Sequence, residues 1–271
     1  MNFETHLPHG IALPPGRMIT SDEGAGKVQP LWLSDTSPTQ DLWSRLRAVH
    51  ADSGLWPLLL DSAGPQDDDF RPWGCGELWP ELMSAPADHN PEALLGGWWC
   101  DYTATDEEDD QLTAEKRLAI TAPFGRTWPG IAPAPPPHTQ ADADETADLY
   151  ARIFLTQKPH ARLGLVAASR GADALAAAGW MGPANYDNDT AKFGAIIRDW
   201  EQRFGVRVVG VGLSTLHLSV ASPPIRPEHA LAVAAEHFAL CPDNIWQGRH
   251  RDLESYAEDL IGLNCWTFWW D

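Results

Sequence analysis

Cys265-Trp266-Thr267-Phe268-Trp269-Trp270-Asp271 ends this chain with three tryptophans and a phenylalanine in seven residues. Chain ends usually fray and are polar, so an end this apolar has to be buried. Aromatic residues spaced by two in a run without glycine or proline read as a β-strand. The chain is therefore expected to finish inside a sheet.

The segments leading up to it fit one sheet-and-helix block. Residues 163–166 read as a strand and 171–178 as an Ala-rich helix ended by Gly179. Asp187-Asn188-Asp189-Thr190 offers N-cap chemistry for a helix to Phe204, stopped by Gly205. Phe193, Ile196, Ile197 and Trp200 give that helix one apolar face. The same aspartates do not match a calcium loop, because Ala191 occupies a ligand position and no glycine follows it. Residues 206–213 and 216–220 form a hairpin around Ser214-Thr215. Pro227 opens a helix to about Leu240, and 253–261 is another, stopped by Gly262. The order β-α-α-β-β-α-α-β resembles a split β-α-β arrangement with an extra helix in each crossover. It predicts an α+β fold, a mixed or antiparallel sheet with helices on one face.

Upstream, residues 8–30 read as an irregular lead-in rich in proline and glycine. Leu31-Trp32-Leu33, a helix to about His50 and Leu55-Trp56-Pro57-Leu58-Leu59-Leu60 form a β-α-β unit. Pro91 suits the first turn of a helix through Cys100. Residues 106–110 are five consecutive acids, expected to be a solvated loop. Residues 123–141 are a Pro-rich connector, since proline-rich backbone is extended and semi-rigid. We therefore divide the chain into an N-terminal α/β subdomain (1–122), the connector, and a C-terminal α+β domain (142–271). The latter opens with a helix over 142–157.

The formal net charge of −19 disfavours nucleic acid, whose binding rests on basic residues displacing counterions, and anionic membranes. A basic protein is the partner such a surface suits. Fourteen tryptophans supply either a large core or an interface anchor. The core reading applies to most of them. The four cysteines form no C-x-x-C pair, and the start carries no signal-peptide pattern. The expectation is a cytoplasmic protein with free thiols.

Gly182-Pro183-Ala184-Asn185-Tyr186 is followed by Trp200-Glu201, Arg203-Phe204-Gly205, Glu236-His237, Cys241-Pro242-Asp243, Gln247-Gly248, Tyr256-Ala257-Glu258 and Trp269-Trp270-Asp271. This succession resembles the bacterial domain-of-unknown-function family 4253, in its actinobacterial form. The resemblance is strongest over residues 162–271. It implies an α+β domain and brings no reaction, cofactor or substrate with it.

The best polar cluster is Glu236, His237 and Asp243, which would carry catalysis if the protein were a hydrolase. His237 and Cys241 stand four apart and could share a metal with His250. The favoured reading of that pair is structural, so no metal and no cofactor is assigned. Glu201, Asn185, Gln247, Trp269, Trp270 and Asp271 are candidates for ligand or partner binding. His217, between Leu216 and Leu218 on a strand, faces away from them, by default toward solvent and otherwise onto a cleft wall. Gly210 and Gly212 leave a smooth patch that could admit a ligand or another backbone, or that marks a bulge. Ser169-Arg170-Gly171, between strand and helix, is a candidate anion contact. No Walker, dinucleotide-binding or nucleophile-elbow motif is present. These observations favour a non-catalytic protein-binding module, with an antagonist or immunity-like role as one version. The alternatives are a hydrolase using the Glu/His/Asp cluster and a small-ligand sensor with a Trp-lined pocket.

Overall fold

A computed structural model describes residues 10–22, 28–64, 67–104, 113–136 and 141–271. Its centre is one seven-stranded mixed sheet. The strands are β1 (Gly16–Ile19), β2 (Leu31–Ser34), β3 (Leu55–Leu60), β4 (Arg162–Ala167), β5 (Val206–Val211), β6 (Thr215–Val220) and β7 (Cys265–Trp269), in the order β1-β2-β4-β3-β5-β6-β7. Every adjacent pair is antiparallel except β3 and β5. The fold is α+β.

All six residues of β3 are buried, which requires cover on both faces of the sheet. Helices accordingly lie on both, where the sequence suggested one. Helices α1 (Leu42–Ala48) and α2 (His50–Ser53) connect β2 to β3. With α5 (Ala143–Gln157), α1 covers the face built from Trp43, Leu46, Leu59, Phe154 and Val209. The other face carries α3 (Pro91–Thr103), α4 (Ala114–Ile120), α6 (Ala174–Ala178), α7 (Thr190–Phe204), α8 (Pro227–Leu240), α9 (Asp243–Trp246) and α10 (Leu253–Leu260) over the larger core. His217 is corrected for the same reason. It does turn away from Leu216 and Leu218, but α5 covers that face, and Tyr150, Phe154 and Thr267 surround the imidazole.

The split β-α-β arrangement is present, but not in the C-terminal block. It is β2-α1-β3 that runs parallel, with β4 inserted antiparallel between the two strands. Strands from both sides of the connector thus alternate in one sheet. Pro57 is accommodated because β3 pairs with β5 only from Leu59 onward. Beside it, Trp56 donates its indole N–H to the Val208 carbonyl at 3.0 Å, and Trp43 donates to the Pro57 carbonyl at 3.0 Å.

The local rules hold where they were strong. Asp142, Asp189 and Asp252 cap α5, α7 and α10 through their carboxylates, and Gly179 and Gly205 end α6 and α7 in the left-handed region. The lead-in contains one element the sequence did not announce, β1, whose Gly-Arg-Met-Ile has no alternating pattern and is extended by pairing with β2. The ladder shifts register between Val208 and Gly210, and the Phe154 ring packs where a Gly210 side chain would stand, so the smooth patch is filled. The acidic run 106–110 lies outside the described residues. Among the described residues no helix is long and apolar enough to cross a membrane.

Candidate functional site

Glu236 and His237 sit in the last turns of α8 and Asp243 opens α9, all three closed off from solvent. A buried carboxylate needs several donors, and Glu236 has them. It accepts from the Ala132 N–H (2.7 Å), the Trp200 indole (2.6 Å) and both Nη atoms of Arg203 (2.9 and 2.6 Å). Arg203 also donates to the Ala132 carbonyl at 2.8 Å. The pair therefore grips both backbone groups of one connector residue.

His237 packs against Trp200, Trp266 and Phe268, with Nδ1 3.0 Å from the Tyr256 hydroxyl. Burial, helped by the Arg203 charge, pushes its pKa down to about 3, so the ring is neutral at pH 7. The Cys241 thiol donates elsewhere, to the Trp269 carbonyl, and burial drives its pKa far up. His237 and Cys241 thus engage different partners. Asp243 accepts from the Tyr186 hydroxyl (2.6 Å), the Gln247 amide (3.0 Å) and the Asp271 N–H (3.0 Å). Glu236, His237 and Asp243 therefore belong to three separate networks.

Of the other candidates, the fold brings Gln247 and Asp271 together on Asp243. This pins the last residue of the chain. Trp270 is buried and donates to the Leu240 carbonyl at 3.3 Å. Asn185 is exposed, next to Tyr186. Glu201 lies elsewhere, its carboxylate accepting from the Ala172 N–H at 3.1 Å with Arg170 3.6 Å away. Burial raises its pKa against the pull of Arg207 and Arg170. Trp269 is the one tryptophan that stands exposed. The other thirteen are buried or partly buried, so the surplus is a property of the core.

Sequence reasoning missed Asn244. β7 is an edge strand, which presents unpaired backbone groups. The Asn244 side chain covers part of that edge. It donates to the Thr267 carbonyl at 2.8 Å and accepts from the Trp269 N–H at 3.1 Å, as a neighbouring strand would. It also donates to Tyr256, which joins it to His237. An asparagine in a four-residue helix carries no signal of this role.

Eight large apolar side chains stand exposed among the described residues. Trp269 lies on β7 and Leu263 two residues before it, Leu149 and Ile153 stand on α5, and Ile261 follows α10. A groove of about 320 Å³ between α8 and α10 has Leu231, Ala257 and Ile261 for its apolar lining and Glu228, Glu254 and Glu258 beside them. A second, of about 250 Å³, runs past Leu149, Tyr150 and Ile153 to Asn264 and Cys265 at the start of β7.

Residues 162–271 match the family model DUF4253, a domain of unknown function. No curated protein and no solved structure matches the chain. The DUF4253 segment begins with the first residue of β4 and contains β4 to β7. Its strands β4 and β5 do not touch each other in the sheet, because β3, from outside the segment, lies between them. The α8/α10 groove, Asn244 and the Asp243 cluster lie within the DUF4253 segment, whereas the second groove takes Leu149, Tyr150 and Ile153 from the chain before it and meets the segment at Asn264 and Cys265.

Proposed function

We propose that this protein acts by binding another protein and has no catalytic role of its own. The observation that carries the reading is the pair of partly apolar grooves, one between α8 and α10 flanked by three glutamates and one running from exposed Leu149 and Ile153 on α5 to the start of β7. Apolar patches rimmed by polar residues mark interaction surfaces. With a net charge of −19, the partner this face suits carries basic residues around apolar anchors. Charge complementarity of that kind speeds encounter and rejects acidic competitors. An antagonist of a basic protein is the concrete form of this proposal.

Affinity capture of the tagged chain from its native cells, compared with Ile261→Asp and Trp269→Ala variants, tests it. The expected result is a stoichiometric partner whose affinity falls about thirtyfold or more with the first variant, as for loss of an anchor of about 2 kcal/mol. Capture that is the same for all three proteins would overturn the proposal.

A further inference from the structure

A separate cleft lies at the end of the sheet where β4 stops and β3 and β5 begin. It has a volume of about 440 Å³ and draws on both helical layers. Arg47 and His50 come from the β2–β3 connection, Glu201 and Gln202 from α7, Arg170 from the turn after β4, and Arg207 from β5. In a chain with twice as many acidic as basic residues, three arginines around one cleft need a reason.

Their hydrogen bonds separate them. Arg47 is fully used: Nε and Nη2 hold Asp148 at 2.8 and 2.9 Å and Nη1 holds Asp144 at 2.8 Å. It ties α1 to α5. Arg207 spends Nε on Asp144 and Nη1 on its neighbour's carbonyl, leaving Nη2 with no partner among the described residues. Arg170 is nearly half exposed, and its guanidinium makes one contact among the described residues, the 3.6 Å ion pair with Glu201. Both guanidiniums therefore retain donors, and planar guanidinium donors match carboxylate and phosphate oxygens.

His50 adds a second kind of group. Its Nε2 lies 2.8 Å from the Ala168 carbonyl, which can only accept. Nε2 therefore carries the proton, and in the neutral ring Nδ1 is a bare acceptor with no partner among the described residues. Trp56 forms the apolar wall. Its ring meets His50 edge-on, and it approaches Gly171 so closely that any side chain at 171 would collide with it.

We propose that this cleft binds a small oxyanion-bearing molecule, a carboxylate or a phosphate ester, through Arg170 and Arg207, with His50 accepting a hydrogen bond from the body of the ligand. Glu201 is the resident competitor for Arg170 and makes way when the oxyanion binds. This site is independent of the protein-binding surface.

The test is isothermal titration of the whole protein with inorganic phosphate and, separately, with succinate. The variants are Arg170→Ala and Glu201→Gln, with unfolding midpoints recorded for each. Arg170 is exposed and weakly paired, so its removal leaves the fold intact. The expected result is saturable binding of at least one probe, weakened tenfold or more by Arg170→Ala and strengthened by Glu201→Gln, which removes the competing charge. Binding of phosphate alone assigns a phosphate ester, of succinate alone a carboxylate, and of both a general oxyanion site. Binding of neither by the wild type or Glu201→Gln overturns the proposal, as does binding that Arg170→Ala leaves unchanged.

Discussion

Replacing Glu236 by alanine tests whether its network holds the fold. The carboxylate is fully buried and receives four donor contacts from three residues. Its loss strands the Trp200 indole and the Ala132 N–H, while the Arg203 guanidinium, whose side chain is only 12% exposed, keeps Asp199 as its remaining carboxylate. Asp199 still compensates the Arg203 charge, so the cost comes from the two buried donors left unpaired, about 1–3 kcal/mol each and about 2–6 kcal/mol together. At about 2–4 °C per kcal/mol for a chain near this size, the melting temperature should fall by roughly 4–24 °C. Glu236→Gln keeps the volume, but one of its two terminal atoms becomes an NH₂ facing donors. It should cost about 1.5–3 kcal/mol, the worth of hydrogen bonds to a charged group. Urea unfolding followed by circular dichroism measures both. Limited proteolysis adds a local readout, because residues 129–136 lose their grip at Ala132 and should be cut sooner. A Glu236→Ala protein within about 1 kcal/mol of wild type would refute the reasoning. Glu236 would then be free for other work.

Three further outcomes are expected. Folding holds His217 at about 4 and His237 at about 3, both against 6.5, through burial first and then the Lys158 and Arg203 charges respectively. The unfolded chain thus binds more protons, so stability is full above pH 6.5 and is lost as pH falls toward 4. His217→Gln should flatten that loss by roughly 3 kcal/mol at most, measured as unfolding free energy against pH. Expressed alone, residues 142–271 lack β3 and should show no cooperative urea transition, whereas a sharp one would mean that β4 and β5 can close on each other. Asn244→Ala should cost about 1–2 kcal/mol for its two edge hydrogen bonds and produce concentration-dependent self-association by light scattering. A monomer at every concentration would show that the edge needs no cover.

The elements that could be read in the sequence were those whose cause lies within a turn of the residue. Asp142 and Asp189 announce α5 and α7, Pro91 and Pro227 their first-turn positions, and Gly179 and Gly205 their helix ends. The terminal strand was legible because three bulky aromatics at alternate positions leave few other places to go. Trp266, Phe268 and Trp270 are each at most 1% exposed, worth roughly 4–6 kcal/mol apiece as an upper estimate. β1 was not legible, because an edge strand takes its extended form from its neighbour. The separation of Glu236, His237 and Asp243 was not legible either. Adjacency in sequence says nothing about which core atoms a buried carboxylate will meet.

The amino-acid sequence by itself determined that this is an acidic α+β protein with a Trp-filled core and an aromatic strand at its end. Only the tertiary structure decided that β3 enters between β4 and β5, that helices cover both faces, and that Asn244 guards the edge. It also placed Arg170, Arg207, His50 and Glu201 around one cleft. The physical reason is range. Caps, turns and periodicity act over a few residues, whereas the choice of strand partners depends on burying Leu55–Leu60 on both sides at once. That choice is made by segments about 100 residues apart, and the cleft is its consequence.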